Sequence, residues 1–120
     1  MVRRQPPRQG DVYWIDPNPV AGREINDRHR FMVITAQPIN RLGVCMTVPI
    51  TGGGRFARET GLAVCISGHD TSGVAVCNQV RSFDIEQRVR EGSASFVERL
   101  DEITINEIVS KVLSLIDLYD

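Results

Sequence analysis

Residues 48–58, VPITGGGRFAR, constrain what this chain can fold into more than any other stretch. An apolar, strand-like run reaches Pro49, meets a lone hydroxyl at Thr51, and breaks on three glycines, Gly52 to Gly54. Glycines carry no side chain to pack and lose the most backbone freedom on ordering, so the strand has to end here. They also let a backbone come close to a ligand and turn its N–H groups toward an anion. Arg55 and Arg58 follow, with forked donors that suit phosphate. The stretch reads either as a phosphate-handling strand end or as a hairpin turn with solvated arginines.

The length of 120 residues, with 42% apolar and 24% charged residues, fits one globular domain, 1–120, that builds its core without staples. The polar start, residues 1–9, is expected to be a loose arm. A formal net charge of −1 excludes a polycationic nucleic-acid binder, so phosphate binding must rest on local arginine placement. Lys111 is the one lysine among 14 basic residues. That bias favours bidentate contacts with carboxylate or phosphate, although a GC-rich genome produces it too. Cys45, Cys65 and Cys77 lie in apolar runs and are expected to be reduced, core-packed thiols of a cytosolic protein. With no C-x-x-C spacing and the two histidines far from the cysteines, no metal and no other cofactor is expected. No signal peptide or membrane-spanning run is visible, so a cytoplasmic protein without membrane contact is expected.

Short strands are predicted over residues 11–16, 31–35, 44–49, 62–66 and 74–77, with 80–83 extending the last or starting another and 95–100 as a weaker candidate. The run FMVIT at 31–35 is apolar throughout, which predicts burial on both faces. Residues 17–30 form a long polar connection of the kind that is usually functional or mobile. A helix closes the chain. Thr104 and Glu107 have the spacing of a capping box, and Asp101 is a rival start. Ile105, Ile108, Val109, Val112, Leu115 and Ile116 recur at helical spacing and predict one face packed on the sheet.

In this order the pieces resemble the MazF/PemK (Kid) family of bacterial toxin endoribonucleases, the mRNA interferases, and its PemK/Kid type most nearly. The resemblance runs from Gly10-Asp11-Val12-Tyr13-Trp14 through Asp16-Pro17, Ala21-Gly22 and Ile39-Asn40 to Val48-Pro49-Ile50-Thr51. Residues 53–61 are similar to the Kid stretch G-G-x-F-A-R-x-x-G, and residues 73–81 to G-V-x-x-x-[DN]-Q-x-[RK]. It implies a mainly β fold, a small, strongly curved, SH3-like antiparallel barrel of the MazF/PemK/CcdB type with a C-terminal α-helix. It also implies metal-independent cleavage of single-stranded mRNA at specific sequences by attack of the substrate's 2′-OH, which inhibits translation and growth.

Such a site needs a proton acceptor, a proton donor and cations for the phosphorane charge. Thr51 matches the family's active-site threonine. The family's Arg-Pro before the second strand is replaced here by Arg28-His29-Arg30. An ungapped match puts His29 on the usual arginine, and a one-residue shift restores Arg28 or Arg30. Arg30, at the mouth of the second strand, is expected to stabilise the phosphorane, and His29 is a candidate acid or base because histidines titrate near neutrality. Arg23 stands where Kid has a histidine, Val76 where it has an arginine, and Asn78 where it has an aspartate; an asparagine cannot be a general base. Asn78 and Gln79 are expected either to meet RNA base edges or to satisfy buried backbone. Gly53, Arg55, Phe56, Arg58 and Arg81 complete the expected RNA-binding set, and His69 is expected to be uninvolved.

The family implies a homodimer and a cognate PemI/MazE-like antitoxin whose flexible acidic tail covers the RNA groove, with operator DNA contacted only through the antitoxin complex. Two other functions share the general shape: a non-enzymatic toxin that poisons DNA gyrase, and an SH3-like adaptor for proline-rich peptides. The first has no need of the Thr51 and Arg28–Arg30 constellation, and the second needs an aromatic-lined groove.

Overall fold

The computed structural model describes residues 5–53 and 55–116. Its elements in chain order are β1 (Asp11–Ile15), β2 (His29–Val33), α1 (Gln37–Asn40), β3 (Cys45–Thr51), α2 (Arg55–Glu59), β4 (Ala63–Ile66), β5 (Gly73–Val76), β6 (Arg81–Phe83), α3 (Ile85–Glu91), β7 (Ala94–Arg99) and α4 (Glu102–Ser114). The seven strands form one antiparallel sheet in the order β4-β5-β3-β2-β1-β7. β3 meets β2 along one edge. The other edge is shared by β6 at its start and β5 at its end, so the sheet has to curve around β3. β4 and β7 are its unpaired ends, and no backbone ladder joins them. This is the curved, SH3-like architecture expected, open rather than closed.

β2 is apolar because both of its faces are covered. Met32 joins Val12, Val48, Ile50 and Val64 beneath Ile105, Ile108 and Val112 of α4. Phe31 and Val33 join Tyr13, Ile15, Cys45 and Phe83 beneath Ile85 of α3. Fully burying each such side chain contributes about 1.5–3 kcal/mol. Gly10 makes room for α4: its φ is +95°, and a Cβ there would sit 2.1 Å from the Ile105 Cδ1 atom.

α4 starts at the rival signal. The Asp101 carboxylate accepts from the Thr104 backbone N–H at 3.0 Å and from its hydroxyl at 2.8 Å, so Thr104 sits inside the helix as the capped residue. Ile105, Ile108 and Val112 are buried as the spacing predicts, but Leu115 and Ile116, past the helix end, are exposed. α3 was not legible as a helix in the strand-rich reading, although it carries both end signals. Asp84 accepts from the Gln87 N–H, and Gly92 closes the helix in the left-handed region.

Two further expectations change. Residues 6–9 are not a loose arm: Pro6 and Pro7 carbonyls accept from Gln37 and from the buried Asn40, and the Gln9 amide donates to the Ile34 carbonyl. Residues 1–4 lie outside the described residues. Cys65 is exposed, because on the end strand β4 its side chain faces away from the core. Cys45 and Cys77 are buried as expected, and burial pushes their thiols up to about 12 and about 11. Among the described residues no helix is long and apolar enough to cross a membrane.

Candidate active site

The β2–β3 register pairs Arg30 with Ile50 and Phe31 with Pro49. Continued by one residue, it sets His29 opposite Thr51, at the start of one strand and the end of the other. Strand alternation then puts His29, Phe31, Pro49 and Thr51 on one face, and Arg30, Ile50 and Trp14 on the other. This register puts His29 and Thr51 at facing strand ends on one face, and Arg30 on the other. The sequence places 28–30 in a loop before the strand; β2 instead begins at His29, which gives His29 and Arg30 opposite sides.

Thr51 is held from three directions. The Gly53 N–H donates to its hydroxyl at 3.2 Å, and the Arg58 side chain donates to the Gly53 carbonyl at 3.0 Å. Behind it lies Gly73, with φ +114°, where an added Cβ would come within 2.4 Å of the Thr51 carbonyl oxygen. Position 73 therefore has to be glycine for β5 to pair so closely with Thr51. His29 has one ring nitrogen engaged: Nδ1 lies 3.2 Å from the Asp27 carbonyl oxygen. A carbonyl only accepts, so Nδ1 is the donor in this contact, and in the neutral ring Nε2 is the acceptor.

Phe31 and Pro49 also line a cavity of about 320 Å³, with Arg23, Glu24, Ile25, Asn78, Gln79, Val80 and Arg81 around it. A second hollow of about 610 Å³ shares Arg23, Ile25, Asn78 and Gln79 and adds Arg55, Ala57 and Val76. The groove therefore gathers Arg23, Arg55, Asn78, Gln79 and Arg81 from the expected RNA-binding set. Its outer wall is the long loop after β1, and Gln79 holds that wall. The Gln79 amide oxygen accepts from the Ile25 N–H at 2.6 Å, and its nitrogen donates to the Arg23 carbonyl at 3.2 Å. With both ends engaged, Gln79 satisfies loop backbone. Asn78 is exposed in both hollows with no hydrogen-bond partner among the described residues. Arg81 lies over the Phe83 ring at 5.3 Å and donates to the Pro17 carbonyl at 3.3 Å. Arg55 is paired with Glu59 on the exposed side of α2. The Phe56 side chain lies outside the described residues.

Arg28 and Arg30 gather elsewhere. Their guanidinium carbons lie 5.1 and 4.5 Å from the centre of the Trp14 ring. Glu24 is a groove carboxylate that sequence reading passed over; its oxygen accepts from the Ala21 N–H at 2.7 Å, and the polar turn at Ala21-Gly22 was the available signal. His69, expected to be uninvolved, is far from the groove residues in the contacts it makes, lying between Glu98 and Asp101. Among the described residues, no three His, Cys, Asp or Glu side chains converge in a way that could hold a metal ion.

A curved, open antiparallel sheet with a long loop over a groove that holds Arg23, Arg55 and Arg81 defines a small SH3-like β protein. The chain belongs to the PemK-like, MazF-like toxins of type II toxin–antitoxin systems, whose family model matches residues 8–116. It is 30% identical over 120 residues to the endoribonuclease PemK of Escherichia coli, covering 97% of this chain and 87% of that one. It is 37% identical over 93 residues to the endoribonuclease toxin ChpB of Escherichia coli strain K12, covering 74% and 79%. The fold matches crystal structures from Deinococcus radiodurans. One is MazF, with a TM-score of 0.78 at 24% identity over 93% of this chain and 97% of that one. Another is a MazE–MazF structure, with a TM-score of 0.75 at 23% identity over 96% and 99%.

Proposed function

We propose that this chain is the toxin of a toxin–antitoxin pair and an endoribonuclease that cuts single-stranded mRNA at specific sequences without a metal. The observation that carries this reading is the β2–β3 register, which, continued past Arg30 and Ile50, sets His29 opposite Thr51, next to Phe31 and Pro49 of a groove lined by Arg23 and Arg81, in a chain of this family. His29 Nε2 takes the proton from the 2′-OH. The 2′-oxygen then bonds to phosphorus, the bond from phosphorus to the 5′-oxygen breaks, and that oxygen leaves with a proton from water in the open groove. The products are a 2′,3′-cyclic phosphate and a 5′-OH. The Thr51 hydroxyl donates to a non-bridging oxygen, and the groove arginines neutralise charge that grows at the phosphorane. Arg28 and Arg30 gather on Trp14, away from this centre; Gly53 and Arg58 lie beside Thr51, Arg55 and Asn78 line the groove, and Phe56 completes the RNA-binding set by its place in the motif.

The same charge that suits phosphate suits an acidic antitoxin segment, so a cognate PemI/MazE-like antitoxin covers the groove and brings the operator-DNA contacts. The toxin acts in the cytoplasm as a homodimer. Leu42, Val44 and Met46 around β3, and Ile103 and Leu113 on α4, leave exposed apolar surface for the second copy. The test is to map cleavage ends on a mixed RNA pool with excess EDTA. Cyclic or 3′-phosphate and 5′-OH ends are expected. Cleavage that EDTA abolishes and a divalent ion restores rules out the metal-free reaction, and no cleavage by the purified protein rules out the nuclease.

A further inference from the structure

Trp14, Arg28 and Arg30 form a cluster that the groove does not use. Trp14 and Arg30 are directly paired across β1 and β2 and share a face. Both guanidiniums lie within about 5 Å of the indole centre, the range of a cation–π contact. Neither arginine has a carboxylate partner among the described residues. Arg28 makes one long hydrogen bond, 3.4 Å, to the Ser95 hydroxyl. Arg30 has a buried Nε with no hydrogen-bond partner. Two cations on one ring repel each other, and a buried unpaired donor is costly. An anion bound between the forks offsets that repulsion.

We propose that Trp14 holds Arg28 and Arg30 as a two-guanidinium clamp for a backbone phosphate of the RNA, on the face of the sheet opposite His29 and Thr51. This rests on the nuclease reading above. His29 lies between the two arginines in sequence and faces the other way, so a strand that crosses the start of β2 meets the catalytic lip and then the clamp. Stacking on the indole fixes each guanidinium plane in advance, so less freedom is lost when the fork grips phosphate. The clamp lengthens the substrate footprint beyond the groove. It reads no base, because its donors meet only phosphate oxygens.

Trp14 is the one tryptophan in the chain, so its emission reports on the clamp alone. The experiment titrates the protein with an end-labelled single-stranded oligonucleotide of 2′-deoxy sugars, which has no nucleophile and is not cut. Label anisotropy follows binding anywhere, and Trp14 emission follows the clamp. Both signals are expected to saturate with one midpoint. Arg28→Gln and Arg30→Gln should each weaken binding about tenfold and flatten the slope of log affinity against log salt by about 0.7, the loss of one phosphate contact on a single strand. Arg30→Lys, which keeps the charge, should restore the slope more than the affinity. Binding that leaves Trp14 emission unchanged overturns the clamp while the nuclease reading stands. Failure of the oligonucleotide to bind at all overturns both. A polyglutamate peptide that moves Trp14 emission when the oligonucleotide does not assigns the clamp to a protein carboxylate and overturns it as an RNA site.

Discussion

The His69 ring bridges the two unpaired ends of the sheet, with Nε2 2.7 Å from a carboxylate oxygen of Asp101 and Nδ1 3.1 Å from Glu98. His69 and Thr71 belong to the turn between β4 and β5, and Glu98 lies on β7. The Thr71 N–H adds a 2.6 Å hydrogen bond to the second Glu98 oxygen. Side chains thus clasp a barrel that backbone ladders leave open, and because Asp101 caps α4 the clasp also steadies the start of that helix.

This clasp should make stability depend on pH. The hydrogen bond to Asp101 raises the His69 pKa above its ordinary value near 6.5, with burial opposing and Glu98 adding to the rise. A raised folded-state pKa means the contribution is whole below the ordinary histidine value and is lost as pH climbs through the folded one. Burial raises the Glu98 carboxyl, but its bonds to Thr71 and His69 outweigh this and hold it low; Asp101 is held low first by His69. Melting scans should therefore show Tm falling as pH rises above about 6.5. His69→Gln should remove that slope and lower Tm at pH 6 by on the order of 4 °C. A variant that keeps the wild-type slope would move the effect to another group.

Thr51→Ala should keep the melting temperature and lose about 100-fold or more in single-turnover cleavage of a short RNA, as expected for a transition-state donor. A near wild-type rate would remove Thr51 from the site.

His29→Ala should flatten the acid limb of the pH–rate profile, because a general base has to be unprotonated to act. The same assay weighs the arginines. Arg30 was expected from the sequence to carry phosphorane charge, and its place on Trp14 now predicts that Arg30→Ala raises KM more than it lowers kcat. A large loss confined to kcat would return Arg30 to the catalytic centre.

Gln79→Ala should free the groove wall. Losing its two bonds to the Arg23 and Ile25 backbone should cost about 1–3 kcal/mol of stability. KM should rise with it, and hydrogen exchange should accelerate at the Ile25 amide. Unchanged exchange there would show that the loop is held by other contacts.

Gly73→Ala should be among the most damaging substitutions of a small residue here. The added Cβ meets the Thr51 carbonyl at 2.4 Å on a backbone with φ +114°. Strain of this kind costs about 1–3 kcal/mol before any clash is counted. Because β5 would have to leave Thr51, cleavage should fall along with stability; a stable variant with full activity would show that the strands can shift at no cost.

By itself the sequence determined what local patterning controls. The β-branched runs became β1 to β5 and the period of Ile105, Ile108 and Val112 became the buried face of α4. The run of motifs from Gly10 to Arg81 carried the family across most of the chain. What tertiary structure alone decided was direction and long-range partnership. A strand that starts at His29 instead of Phe31 gives His29 and Arg30 opposite sides, and no local signal sets a strand boundary to one residue. Asp101 outcompeted Thr104 as the cap, in a setting where Asp101 also meets His69, 32 residues away in the chain. Gln79 reaches a loop more than 50 residues back, and Cys65 is exposed because β4 ends the sheet. Those outcomes depend on which segments the fold brings together, and pairing across such distances leaves no periodicity along the chain to read.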